Sequence, residues 1–246
     1  MTGGGKAVRR KGGKKRTDIR NSHAVEKGER RTRTAVPQYR RTAPEIIALL
    51  KEAYPDACCA LEYRNAYELL CATILSAQCT DVRVNMVTPT LFARYPTPLE
   101  LAAADPAEVE QIIKSTGFFR NKTKSLIGMA QAVVAEHGGE VPRTMEELRK
   151  LPGVGRKTAN VVLGNAYGIN EGVTVDTHVT RISGLLGLSR GTDAVKIEEE
   201  LMKLYQREDW GVLSHLIISH GRQVCVARRP KCSECVLARL CPSARL

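Results

Sequence analysis

The segment "LPGVGRKTANVVL", residues 151–163, constrains the fold of this chain more than any other stretch. The helical pattern "MEELRKL" precedes it, two glycines interrupt the pattern, and an apolar run with helical spacing follows. Gly153 and Gly155 let the backbone reverse and leave room for a large group to approach it. The amides that open the second helix, at the positive end of its dipole, suit an anion such as phosphate. We therefore expect two helices joined by a tight turn, with Arg156 beside an anion site.

Three interpretations of this turn compete. A nucleotide-binding P-loop needs glycine directly before its lysine and again five positions earlier, where this chain has Arg156 and Leu151, so it is excluded. A helix–helix turn without a ligand is common and stays open. The order hydrophobic–Pro–Gly–Val–Gly is typical of a helix-hairpin-helix, a module that binds the DNA backbone, and residues 146–167 fit that pattern.

Helical periodicity dominates the rest of the sequence, and strand signals are nearly absent. About ten segments are predicted as helices, including one that starts at Thr42 as its N-cap and stops before Pro55, and one that Asp105 caps. The chain is therefore predicted to be all-α. No apolar stretch approaches the length of a membrane span, so no membrane partner is expected.

The positive charge is concentrated at the N-terminus. Residues 1–41 carry 14 Lys and Arg against 3 Asp and Glu, whereas the whole chain has a net charge of +12. This glycine-rich, apolar-poor tail cannot bury enough surface to offset its ordering entropy and is predicted to be disordered. A solvated terminus and an arm that attracts nucleic acid are both compatible with it.

Lys157 and Asp176 have the residue types and positions for covalent chemistry. An ammonium group at a helix N-terminus meets the positive end of the dipole, which favours the neutral amine, and a neutral amine is a nucleophile that forms Schiff bases. Asp176 in "VDTH" is placed to cap a helix. Its carboxylate could also stabilise a cationic sugar-like transition state or accept the amine's proton. For His178 a core or capping role is the simpler interpretation.

Four of the eight cysteines lie within 17 residues, in the spacing C-x6-C-x2-C-x5-C. They are Cys225, Cys232, Cys235 and Cys241. Without a secretion signal the set indicates a metal centre, and spacing alone leaves zinc and a [4Fe–4S] cluster open. Arg228, Arg229 and Lys231 lie between the first two ligands, in a loop that would present cations to a phosphate backbone. The other four cysteines are expected in the core.

From about residue 42 onward the chain resembles the endonuclease III family of bifunctional DNA glycosylases in the helix-hairpin-helix superfamily. Four motifs carry the resemblance: "LSAQCTD" at 75–81, "LPGVGRKTANVVL", "VDTH" at 175–178 and the cysteine set. The resemblance implies two all-α domains with a DNA cleft between them. One is a six-helix barrel at about 60–169 that includes the hairpin. The other joins 42–59 to 170–246 and holds the [4Fe–4S] cluster.

The resemblance also implies roles for individual residues. Lys157 corresponds to the catalytic lysine and Asp176 to the essential aspartate. Gln78 matches the residue that fills the gap left by the extruded nucleotide, and Phe118 stands where the family often has a leucine wedge. Without the family, Gln78 would be a polar residue at a helix end and Phe118 a core residue. The set expected to contact DNA is Gln78, Phe118, Gly153, Gly155, Arg156, His178, Arg228, Arg229 and Lys231.

The implied function is base-excision repair. The enzyme would remove oxidised pyrimidines from double-stranded DNA and cut the strand 3′ to the abasic site by β-elimination through a lysine Schiff base. Its partner would be damaged DNA, and a monomer in the bacterial cytoplasm, associated with the nucleoid, is expected. Alternatives are an adenine glycosylase, which would lack the lysine at position 157, a glycosylase for mismatched thymine or uracil, and a catalytically idle DNA-binding module.

Overall fold

The structure, a computed structural model, describes Met1 and residues 38–246, with side chains from Thr42 onward. The predictions for the basic tail, residues 1–41, fall outside the described residues apart from Met1 and the backbone of 38–41. Eleven α-helices follow one another in the described part: α1 Gln38–Ala53, α2 Ala66–Leu75, α3 Asp81–Arg94, α4 Pro98–Ala102, α5 Pro106–Ile113, α6 Phe119–His137, α7 Met145–Leu148, α8 Arg156–Tyr167, α9 Thr177–Leu185, α10 Ala194–Met202 and α11 Trp210–Gln223. Residues 38–246 contain no strand, which confirms the all-α prediction.

Local capping rules explain most of the helix boundaries. Asp105 caps α5 through the amide of Ala107, and Pro106 fills the first turn, as predicted. The prediction for α1 is wrong at its start, because the helix begins at Gln38 and Thr42 lies inside it. A residue with a good capping side chain does not prevent the preceding residues from adopting helical angles. The end of α1 at Ala53 is as expected before Pro55, because a residue that precedes proline avoids the α region.

Two separate apolar cores lie within residues 42–246. The first runs from Leu61 to Leu163 and is built around α2, in which every residue from Tyr67 to Leu75 is buried. A helix buried all round lies at the centre of its domain. The second core joins apolar residues of α1 to those between Val173 and Leu237. The division at 59/60 and 169/170 stays a prediction, which the existence of these two cores supports.

Helix packing brings three segments distant in the sequence close together. In the first core α8 packs against the central helix α2, so the start of α8 lies near the loop that follows α2. In the second core α11 packs against α1 and α9, and α11 also contacts α8 of the first core. The N-terminus of α8, the loop after α2 and the N-terminus of α9 therefore converge where the two cores meet.

Candidate active site and metal centre

The hairpin between α7 and α8 is held from within by two buried apolar residues. Leu151 and Val154 are both buried, and the amide of Val154 donates to the carbonyl of Leu151 at 3.1 Å. Gly153 has φ of +77°, and a Cβ at this position would lie 2.6 Å from Cβ of Ser125. Both the backbone angle and the contact with α6 therefore require glycine here.

Gly155 differs from Gly153, because the fold itself does not require it to be glycine. Its φ is −91°, and a Cβ built on it would meet no atom within 4 Å. Gly155 is the N-cap of α8, and no side chain bonds the amides that open this helix. The amides at the N-terminus of α8 therefore have no side-chain cap and lie at the positive end of a helix dipole.

Lys157 and Asp176 line the same cavity, which has a volume of about 550 Å³. Lys157, Ser76 and Thr80 lie on or next to helices that pack in the first core, whereas Asp176 and Arg222 lie on or next to helices of the second core. Lys157 is exposed, and no hydrogen bond or ion pair joins its side chain to another residue in the described part of the chain. Its amine is thus free to meet a molecule that enters the cavity.

Asp176 caps α9 and still presents a carboxylate oxygen for other contacts. Its Oδ1 accepts hydrogen bonds from the amides of His178 and Val179 at 2.9 and 2.8 Å, which confirms the predicted cap. Its Oδ2 lies 3.1 Å from Nδ1 of His178. His178 therefore orients the carboxylate, and the side chain of Asp176 stays 19% exposed beside the cavity.

Arg156, the first residue of α8, is paired with a carboxylate within the protein. Its guanidinium binds the carboxylate of Glu198 in α10, at 2.8 and 3.0 Å. Those hydrogen bonds raise the pKa of Arg156 above its ordinary value. The side chain is thus used in an ion pair between the cores, and its predicted contact with a phosphate stays a prediction.

Gln78 and Phe118 share an unusual backbone conformation. They have φ of 53° and 50°, and they are the two non-glycine residues with positive φ between residues 42 and 246. Both side chains are exposed, Phe118 by 63%, so the interpretation of Phe118 as a core residue is wrong. A bulky side chain held in the left-handed region, with most of its ring in solvent, is a strained arrangement that marks functional loops.

The four clustered cysteines surround a second cavity, of about 460 Å³. No three His, Cys, Asp or Glu side chains in the described residues are arranged around one point suited to a single metal ion. Burial raises the pKa of Cys235 and of Cys241, and the charges of Cys225 and Cys232 raise both further. Four cysteines that line one cavity form an all-sulfur donor set, which fits an iron–sulfur cluster, and bound iron would hold them as thiolates.

The loop between Cys225 and Cys232 is fixed at both ends. The amide of Lys231 donates to the carbonyl of Val224 at 3.0 Å, which closes the loop. Arg228, Arg229 and Lys231 are exposed on it and form no ion pair with the described residues. The loop thus carries three cations whose charge is available to an external anion.

Sequence reasoning missed several residues around the cysteine cavity. Arg181 donates to the carbonyl of Cys225 at 2.7 Å and lies 3.6 Å from its sulfur. His220 Nε2 lies 3.5 Å from the sulfur of Cys235, and its Nδ1 lies 3.0 Å from the hydroxyl of Tyr54. The sequence offers one signal for these residues: Arg181 lies three positions after the "VDTH" motif, and His220 lies five positions before Cys225. Among the other cysteines Cys71 is buried as expected, whereas Cys58 is exposed and its core prediction is wrong.

Comparison with known proteins agrees with this geometry. Residues 71–207 match the family described as HhH-GPD superfamily base excision DNA repair protein, and residues 225–241 match the iron-sulfur binding domain of endonuclease III. The endonuclease III of Synechocystis sp. is 58% identical over 206 residues, which cover 84% of this chain and 94% of that protein. The chain belongs to the endonuclease III family. Members of this family are base-excision DNA glycosylases with AP lyase activity, and this chain is such an enzyme with a [4Fe–4S] cluster.

Other relatives extend the same comparison. The endonuclease III of Bacillus subtilis is 47% identical and covers 77% of this chain and 87% of its own length. A solved trapped endonuclease III–DNA covalent intermediate has a TM-score of 0.79 and 43% identity, and the match covers 83% of this chain and 96% of that one. A thermostable thymine-DNA glycosylase shares the fold with a TM-score of 0.75 at 20% identity. No described helix is long and apolar enough to cross a membrane.

Proposed function

We propose that Lys157 is the nucleophile and Asp176 its supporting carboxylate in the removal of oxidised pyrimidines from double-stranded DNA. The observation that carries this proposal is that both side chains line one cavity, although they come from different cores. The cavity is about 550 Å³ and open to solvent, which gives room for a flipped nucleoside. The similar solved structure of a trapped endonuclease III–DNA covalent intermediate supports a reaction in which the enzyme becomes covalently joined to DNA.

The reaction begins when Nζ of Lys157 attacks C1′ of the flipped nucleotide. The N-glycosidic bond breaks, the base leaves with the bonding electrons and takes up a proton, and the amine becomes an imine of the opened sugar. The carboxylate of Asp176 stabilises the cationic sugar as the base departs and accepts the proton that Lys157 must lose. Loss of a proton from C2′ then expels the 3′ phosphate by β-elimination, and water hydrolyses the imine to release the enzyme.

The DNA backbone is proposed to bind at the hairpin and at the basic loop. The uncapped amides of α8 donate to a phosphate that approaches over Gly155, where no side chain intervenes. Arg228, Arg229 and Lys231 add salt-dependent attraction, and His178 holds Asp176 beside the strand. Gln78 fills the gap that the flipped nucleotide leaves in the duplex, and Phe118 acts as a wedge that stacks against the opposite strand.

The residues proposed to hold the cluster are the four cysteines around the second cavity: Cys225, Cys232, Cys235 and Cys241. When bound, the cluster supplies four metal–sulfur bonds that hold the C-terminal segment together. Arg181 binds the backbone of Cys225, so it ties the basic loop to α9, the helix that Asp176 caps. The positions of the loop and of Asp176 are in this way linked through one helix.

We further propose that the enzyme acts as a monomer at the nucleoid. Both walls of the cavity come from this one chain, and the exposed cations favour DNA. The domain boundaries at 59/60 and 169/170 follow the two cores, so the cavity lies at the junction of the proposed domains. A basic tail at 1–41 would add sequence-independent affinity.

Borohydride trapping on a duplex that contains thymine glycol tests this function. We expect wild-type protein to form a covalent adduct and Lys157→Ala to form none. Lys150→Ala is the matched control, because Lys150 is an exposed lysine of the same hairpin that pairs with Glu146 at 2.9 Å, outside the cavity. Duplexes with T:G, U:G and A:8-oxoguanine separate the lesion classes. Wild-type protein that binds damaged DNA yet neither traps nor nicks it would refute the proposal.

A further inference from the structure

A buried lysine lies beneath the two loops that carry Gln78 and Phe118. Lys122 belongs to α6 and is 5% exposed. Its ammonium donates to the carbonyl of Leu75 at 2.8 Å and to the carbonyl of Thr116 at 2.8 Å. It forms no ion pair with a carboxylate in the described part of the chain.

Both acceptors are carbonyls at the end of a helical segment. Leu75 is the last residue of α2, and Thr116 is the last residue of the 3₁₀ turn Lys114–Thr116. Carbonyls at such ends lack intrahelical partners and carry the negative end of the helix dipole. Lys122 therefore caps two chain segments at once. Burial lowers the pKa of Lys122, because removal from water disfavours the charged amine. The two hydrogen bonds to carbonyls offset part of that cost.

Each capped carbonyl lies two or three residues before a residue with a strained backbone conformation. Gln78 follows Leu75 by three residues and Phe118 follows Thr116 by two, and both have positive φ and exposed side chains. The two loops come from segments about 40 residues apart, and Lys122 is the side chain that bonds to both. An apolar residue of similar length would leave both carbonyls buried without a partner.

We infer that Lys122 is a positioning residue that fixes the distance between the Gln78 and Phe118 loops. The inference depends on the proposed insertion of those two side chains into the duplex. Insertion at two points requires a set spacing between them, and a displacement of about 1 Å can cost up to about a hundredfold in rate. Lys122 itself is buried and lies outside the residues that line the reaction cavity.

The test compares full-length, cluster-loaded Lys122→Met with wild type in single-turnover reactions. One duplex carries thymine glycol opposite adenine, with 2-aminopurine beside that adenine to report unstacking of the opposite strand. The other carries a preformed abasic site, which has no base to extrude. We expect Lys122→Met to lose about tenfold or more in base release and most of the fluorescence rise, and to nick the abasic duplex within about threefold of wild type.

Met129→Ala controls for a general loss of stability, because Met129 is a fully buried residue of the same helix. At a temperature where both variants are equally folded, Met129→Ala should not separate base release from nicking. If Lys122→Met does not fold, Lys122→Gln replaces it in the test. Glutamine keeps two donor hydrogens on a shorter side chain, so this variant should show a smaller but still selective loss of base release. Equal loss of base release and nicking, or no loss of either, overturns the inference.

Failure of the proposed function gives a different result. If wild type neither releases the base nor forms a borohydride adduct, the catalytic proposal fails whatever Lys122 does. If wild type is active and Phe118→Ala shows the full rate and fluorescence change, insertion of Phe118 is refuted. A selective defect in Lys122→Met, with wild type active and Phe118→Ala impaired, supports the positioning role alone.

Discussion

The guanidinium of Arg156 binds the carboxylate of Glu198 through two contacts, at 2.8 and 3.0 Å. Glu198 is 5% exposed and also accepts a hydrogen bond from Asn160 at 2.9 Å. The first turns of α8 are thereby joined to α10, which belongs to the second core. A buried carboxylate held by three donors cannot move without leaving charge unpaired, so this contact fixes the hairpin relative to the second core.

Gly172→Ala should disrupt this contact. A Cβ at Gly172 would lie 1.8 Å from Oε1 of Glu198 and 2.9 Å from the side-chain nitrogen Nδ2 of Asn160. We expect a loss of about 2 kcal/mol in the free energy of unfolding, a fall in Tm of roughly 4 to 8 °C. Gly164→Ala is the matched control, because it lies inside α8 and its Cβ meets one atom at 3.9 Å. That variant should be stabilised by about 0.5 kcal/mol, and equal melting temperatures for the two variants would contradict the prediction.

Asp176→Asn should separate capping from catalysis. Asparagine also caps helices, so the stability of this variant should stay within about 0.5 kcal/mol of wild type, whereas Asp176→Ala should lose about 1 kcal/mol. Because Asn carries no charge, single-turnover base release should fall by about a hundredfold or more in both variants. Thermal melts and gel-based cleavage measure the two effects. A fully active Asp176→Asn would leave Asp176 with capping as its role.

Phe118→Gly and Phe118→Ala should differ in stability but not in activity. The left-handed angle at Phe118 suits glycine and costs other residues about 1 kcal/mol or more. The glycine variant should therefore melt above the alanine variant, the reverse of their usual order in a helix. Both variants lack the exposed ring and should release a paired damaged base more slowly than wild type. An alanine variant at least as stable as the glycine variant would show that the angle is not retained in solution.

His215 should make the protein less stable in mild acid. Burial lowers the pKa of His215, whose Nε2 lies 3.0 Å from Oδ1 of Asn165 in α8. The unfolded chain takes up the proton near pH 6.5 and the folded chain only at lower pH, so acidification from pH 7 to 5 favours unfolding. His215→Gln should lose less stability over that range, by at most about 1.4 kcal/mol per pH unit. Melts with cluster absorbance followed in parallel would show this, and identical pH profiles would contradict it.

Local sequence rules predicted the all-helical fold, the turn between α7 and α8 and the cap of α9 correctly, although not the start of α1. Asp105 and Asp176 bond to amides two or three residues away, so the pattern of a few neighbouring residues is enough to identify them. Gly153 was predicted for the same reason, because a reversal of the chain within a few residues needs a positive φ. The cysteine set was recognisable from its spacing, although the choice of iron over zinc needed the family.

Residues that act through contacts with residues far away in the sequence could not be identified from the sequence. Arg156 reads as a phosphate ligand, but its partner Glu198 lies 42 residues away. Lys122 reads as an ordinary helical lysine, and its acceptor Leu75 lies 47 residues away. Nothing in the local pattern of either residue indicates burial or a partner, because the angle at which whole helices pack decides both.

The sequence by itself determined that the chain is helical, where its hairpin and its clustered cysteines lie, and which lysine and aspartate to examine. The tertiary structure alone decided that Lys157 and Asp176 line one cavity and that Phe118 is exposed. The physical reason is one of range. Helix propensities, caps and turns depend on atoms within a few residues, whereas a cavity forms where two independently packed cores meet.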